Sequence, residues 1–224
     1  MKKINIFYIK NEDIKLTISF IKFILKKSNT LIKIRDEKDN INIENIINRT
    51  ETIKCVFNSK FYDKEELEII FQVFDINSFY ENIDFFVDET YDHVKALSKE
   101  PYDQYNEDQI KGILKTNCIW FKYSKPRDIV YFFTKIFFDI LTEHKLKNGN
   151  KRVATVLLYT LCYYHGFFIK NSLGPDSYKC WENNEAKIIY FAELYHKNHN
   201  QEKVKEEIYE WLKDYLYIAL NFVE

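Results

Sequence analysis

Apolar and polar positions along this chain change period several times, and each change marks an expected element. Residues 3–9, Lys-Ile-Asn-Ile-Phe-Tyr-Ile, alternate as a strand does, and Leu31-Ile32-Lys33-Ile34-Arg35 alternate again. Between them, from about Glu12 to Lys27, the spacing is that of an amphipathic helix. Asp63, Glu65 and Glu66 resemble an acidic first turn, which predicts a helix running to about Phe74. Phe79, Ile83, Phe86, Val87, Thr90, Val94 and Leu97 fall at steps of three and four, giving a helix that Pro101 stops. Asn106 is placed to cap a short helix with Asp108 in its first turn. The β-prone run Cys118-Ile119-Trp120-Phe121-Lys122-Tyr123 then predicts a small strand or hairpin before Ser124, Lys125 and Pro126.

From Asp128 to Glu143 the pattern becomes apolar around most of a helical circumference, so that helix should be central. A second helix is expected from Lys151 to His165, stopped by Gly166, with Val153, Val156, Leu157, Thr160, Leu161 and Tyr164 as its buried stripe. Two more, at about 183–198 and 202–222, would complete the core through Ile188, Ile189, Phe191, Leu194, Val204, Ile208, Trp211, Leu212 and Leu216. The expected fold class is therefore mainly α. A small α+β part over residues 1–75 would precede a helical domain over 76–224 that carries a small β element.

Composition narrows the functional classes. The 224 residues are 46% apolar and 17% aromatic, enough for a core, while 33 Lys and Arg against 34 Asp and Glu leave a net charge of −1. That balance gives no bulk nucleic-acid signal. Cys55, Cys118, Cys162 and Cys180 are widely spaced without a C-x-x-C pair, and no secretory leader is visible, so reduced thiols and a cytoplasmic location are expected. Apolar runs are broken well short of the ~18 residues that a membrane helix needs.

The densest chemistry lies between the two central helices, in His144-Lys145-Leu146-Lys147-Asn148-Gly149-Asn150-Lys151-Arg152. A helix N-terminus presents unpaired N–H groups and a positive dipole end, so residues 149–152 can hold an anion through backbone and side chains together. Gly149 permits a positive φ or a close backbone approach. Lys151 and Arg152 add charge, and His144, with a reference pKa of about 6.5, can accept a proton near neutrality. The other histidines have no such company. His196 and His199 stand three apart and read as a wet helix end more readily than as metal ligands.

This segment resembles the signature of the Fic/Doc family: His, any residue, Phe, any residue, Asp or Glu, Gly or Ala, Asn, Gly or Lys, Arg. His144, Gly149, Asn150, Lys151 and Arg152 match it; Leu146 stands in place of Phe, and Asn148 in place of the acidic residue. Lys before the final Arg, with Thr155 where a second Arg would stand, is similar to the Doc branch. The resemblance implies an ATP-dependent transferase that phosphorylates a Ser, Thr or Tyr hydroxyl of a target protein, a translation elongation factor being the implied target. It implies a separately encoded antitoxin as a further partner. His144 would be the general base, Lys151 and Arg152 catalytic cations, and residues 148–152 the phosphate cradle. The family's acidic residue serves Mg²⁺; Asn148 offers only a neutral oxygen, which should weaken metal binding. The strand expected near 118–123 would be the family's flap, which clamps a target segment by main-chain bonds. Ser78-Phe79-Tyr80-Glu81-Asn82 has one spacer too few for the family's inhibitory helix, so Glu81 reads as an exposed helix residue. Two alternatives remain on the same residues: AMP transfer with the nucleotide reversed, and a degenerate Fic-like protein that binds without catalysing.

Overall fold

The structure, a computed structural model, describes residues 2–8, 52–57, 65–97, 107–124, 128–143, 149–169, 177–198 and 200–217. Expectations for 12–27 and 31–35 lie outside these residues. The described part is mainly helical, with a sheet near the N-terminus.

Strands β1 (Lys2–Tyr8), β2 (Thr52–Phe57) and β3 (Glu65–Val73) form that sheet in the order β1-β3-β2. β3 runs parallel to β1, Lys2 opposite Leu67 and Tyr8 opposite Val73, and antiparallel to β2, Thr52 opposite Ile70. The helix expected from Asp63 to Phe74 is thus corrected to a central strand. Leu67, Ile69, Phe71 and Val73 recur at a period of two, and pairing on both edges satisfies the backbone more fully than the acidic start could favour a helix.

The chain turns helical after Phe74. Asp75 caps α1 (Ile76–Glu81) by accepting the Asn77 N–H at 2.9 Å, and α2 (Ile83–Leu97) follows at once. The single helix expected over 79–97 is divided at Asn82, whose side-chain amide donates to the Ser78 carbonyl at 2.7 Å and closes α1. Helix α3 (Glu107–Tyr123) then runs straight through the segment read as a strand, so the flap at 118–123 is overturned. Ile110, Ile113, Leu114, Asn117 and Cys118 are buried at helical spacing, and Phe121 extends the stripe onto Phe132 with ring centroids 5.1 Å apart. Packing on one continuous face outweighs the local β preference of Trp120, Phe121 and Tyr123.

Helix α4 (Ile129–Thr142) is the centre of the molecule's helical part. Asp128 caps it by accepting the Tyr131 N–H at 2.8 Å, and every residue except Tyr131 and Lys135 is buried. Around it pack α3, α5 (Asn150–Tyr164), α6 (Ser177–Asn198) and α7 (Gln201–Tyr215); α2 covers α5 from the other side. The short strands β4 (Phe168–Ile169) and β5 (Leu216–Tyr217) pair antiparallel and end α7 earlier than the expected residue 222. Ile188, Phe191, Val204, Ile208, Trp211 and Leu212 are buried as expected, with Leu194 partly so. Ile189 is intermediate. Cys118 and Cys162 are free, buried thiols; burial pushes Cys118 up to about 11 and raises Cys162 too, so both are unreactive core residues. No helix among the described residues is long and apolar enough to cross a membrane.

Candidate functional site

Helices α4 and α5 lie against each other, with the motif in the connection between them. His144 and Asn148 lie outside the described residues; Gly149, Asn150, Lys151 and Arg152 lie inside them. Gly149 is the N-cap of α5 with φ 87° and ψ 9°, the left-handed conformation, which is one of the two uses that the sequence allows for it. Its carbonyl accepts the Val153 N–H at 2.9 Å, the first bond of the helix. No side chain caps this end and its first turn has no acidic residue. The side chain that usually partners the early N–H groups is therefore missing from the cap position.

Gly149 and Asn150 are half-buried, while Lys151 and Arg152 are exposed. The next residue turns inward: Val153, Ala154, Thr155, Val156, Leu157 and Leu158 are all buried. A helix with one exposed cationic turn and an otherwise buried shaft fixes the direction of that turn firmly. Thr155 is 3% exposed and its hydroxyl donates to the Lys151 carbonyl at 2.7 Å. Position 155 therefore serves the helix and not the surface, and an arginine there would have to be buried.

The other side of the connection is held just as firmly. Near the end of α4, Asp139 Oδ2 accepts from the buried Asn117 Nδ2 at 2.8 Å and from Lys135 Nζ at 2.7 Å, with Lys135 also 5.4 Å from the Trp120 ring centroid. This polar lock ties α3 to the last turns of α4, five residues before His144. It was not legible from sequence, because reading 118–123 as a strand hid Asn117 within the buried stripe. Glu143 N–H donates to the Asp139 carbonyl at 2.9 Å and carries the helix to the edge of the connection.

At the opposite end of α5 the expected stripe is right except at Tyr164, which is 39% exposed. His165, 6% exposed, closes the helix inside a ring of Phe74, Phe79, Phe86 and Phe133, with centroids 5.1 to 6.0 Å away. Its Nδ1 lies 2.6 Å from the Leu161 carbonyl, and burial lowers its pKa to about 4. It is a neutral core group. Gly166 follows with φ 81°, the expected helix stop.

Glu81 is exposed at the end of α1, as its spacing implied. His196 is exposed on α6, His199 lies outside the described residues, and no group of three or more metal-binding side chains occurs among the described residues. The turn from Gly149 to Arg152 brings no carboxylate to a magnesium ion, so its donor set does not make a magnesium site on its own. No family model, curated protein or solved structure matches this chain.

Proposed function

We propose that the chain is a nucleotide-dependent transferase that modifies a hydroxyl side chain of a target protein, with phosphate transfer from ATP as the leading reaction in the manner of a Doc-like toxin. The observation that carries this reading is the left-handed Gly149 opening α5 directly into exposed Lys151 and Arg152. It is the backbone form that the Gly-Asn-Lys-Arg stretch needs in order to turn its N–H groups toward phosphate.

In this reading the hydroxyl oxygen of Ser, Thr or Tyr bonds to the γ-phosphorus as the bond to the β,γ-bridging oxygen breaks. His144 takes the hydroxyl proton; Lys151 and Arg152 neutralise charge on the phosphoryl oxygens; ADP leaves. The half-buried Asn150 shapes the turn or donates its amide to phosphate. The turn lacks a carboxylate, so no step here is assigned to a metal. A translation elongation factor as target and a separately encoded antitoxin belong to the same proposal through the resemblance alone. AMP transfer uses the same base with the nucleotide reversed, and the neutral Asn148 favours a second reading, a degenerate protein that only binds.

Intact-mass spectrometry of bacterial lysate proteins incubated with ATP and Mg²⁺, with either the wild type or His144→Ala, tests the proposal. A gain of about 80 Da with the wild type alone supports phosphate transfer, and one of about 329 Da supports AMP transfer. No gain with ATP still bound supports the binding-only reading. Lys151→Gly tests the branch, since it should disfavour phosphate transfer if Lys151 orients the nucleotide. Asn148→Asp should change metal dependence in an active enzyme.

A further inference from the structure

Three aromatic rings stand together in the open at the end of α5 away from the anion turn. Phe85 on α2 is 42% exposed, Tyr163 57% and Tyr164 39%. Phe85 and Tyr164 meet edge to face at 4.9 Å between centroids, and Tyr163 and Tyr164 do so at 5.3 Å. Single exposed aromatics need no explanation, whereas a contiguous set marks an interaction surface.

Acid groups frame this set. Asp88, Glu89 and Asp92 stand three, four and seven residues after Phe85, which places them on the same face of α2. The Tyr164 hydroxyl donates to Glu89 at 3.3 Å, joining rings and carboxylates into one surface. Burial, with Glu89 beside it, raises the Tyr164 phenol above its ordinary value and keeps it a neutral donor. His93, next along the face, turns its Nδ1 onto the Glu89 carbonyl at 2.7 Å. Lys95 approaches Asp92 at 3.7 Å with both side chains mostly in solvent, and Lys111 of α3 bonds Asp84 at 2.9 Å and also feels Asp88, so the acid charge is offset in part at Asp88 and only weakly at Asp92.

We infer that this face docks an arginine-bearing segment of another protein. A guanidinium meets both demands at once, stacking on a ring and pairing with a carboxylate through its planar fork. The molecule uses the ring half of this chemistry itself, with Lys187 over Tyr190 and Phe191 and Lys213 over Tyr209. A wholly apolar partner would bury the carboxylates without enough counter-charge, and nucleic acid would be repelled. A second copy using the same face would set three carboxylates against three. The inference does not rest on the proposed transferase reaction, since the length of α5, about 20 Å, separates the two surfaces.

The test uses the full chain and fluorescence anisotropy with labelled peptides in which arginines alternate with Gly-Ser pairs, beside matched lysine and glutamate peptides. The arginine peptide should bind about fivefold more tightly than the lysine peptide. The double variants Phe85→Ala with Tyr163→Ala, and Asp88→Asn with Glu89→Gln, should each weaken it by about five- to tenfold with an unchanged circular dichroism spectrum. Equal binding of arginine and lysine peptides, binding indifferent to both double variants, or no binding of the arginine peptide overturns the inference. Self-association that Phe85→Ala abolishes overturns it too, and assigns the face to a second copy.

Discussion

The two ends of α5 are built from opposite materials. At the start stand a left-handed glycine, no side-chain cap and two exposed cations. At the finish, His165 is closed in by four phenylalanines and carries no charge at neutral pH. The shaft between them is buried on nearly every side. One helix thus joins an exposed cationic end to a buried aromatic one, and a change at one end should be read by a different instrument from a change at the other.

The largest expected difference is catalytic. If the proposed reaction holds, His144→Ala should lower transferase turnover by about 10²–10⁴-fold and leave the urea midpoint unchanged, because the proposal gives His144 the part of general base. Retained turnover would break the assignment of chemistry to that end. Phe133→Ala should do the converse. Its ring is fully buried and lies 5.1 Å from His165, so its loss should cost about 3–5 kcal/mol in urea unfolding.

pH sharpens the comparison. His165 has its folded pKa lowered from 6.5 to about 4, so the native state favours the neutral ring while the unfolded chain takes up a proton below about 6.5. The stability present above pH 6.5 should therefore be lost as pH falls toward 4, by about 3 kcal/mol in total. Urea titrations at pH 7.5, 5.5 and 4 read the slope, and His165→Leu should flatten it; an unchanged slope in that variant would assign the acid sensitivity to other groups. Gly149→Ala should cost about 1–2 kcal/mol through its left-handed φ and, if the proposed phosphate cradle is right, should also weaken ATP binding, since the N–H groups of that turn would shift. The smallest effect belongs to a control on another helix. Gly112 lies exposed within α3 and a Cβ there would meet nothing within 4 Å, so Gly112→Ala should raise stability by about 1 kcal/mol without touching binding.

The elements legible in the sequence are those whose pattern and punctuation agree. Asp128 caps α4 and Gly166 stops α5, each beside a long apolar period, and both helices fall within a residue or so of expectation. The turn at Gly149 was legible for the same reason, since only glycine enters the left-handed region freely. Residues 65–73 and 118–123 were misread in opposite directions. For the first, acidic residues suggested a helix start, while the deciding facts, β1 on one edge and β2 on the other, are distant in sequence. For the second, Trp120, Phe121 and Tyr123 favoured a strand locally, but the face running from Ile110 to Cys118 carries on to Phe121 while Tyr123 stands in solvent. His165 gave no signal either. A histidine's role as core or catalyst depends on its neighbours, and Phe74 and Phe133 come from other elements.

The order of the N-terminal sheet bears on how the protein is made. β3 is the middle strand and the last to be synthesised, so β1 and β2 leave the ribosome without a partner and wait for residues 65–73. Pairing Lys2 with Leu67 closes a long loop and should be slow beside helix formation. A chain stopped before Glu65 would leave β1 and β2 without the partner strand they have among the described residues, which makes truncation products of this region the form most prone to aggregate.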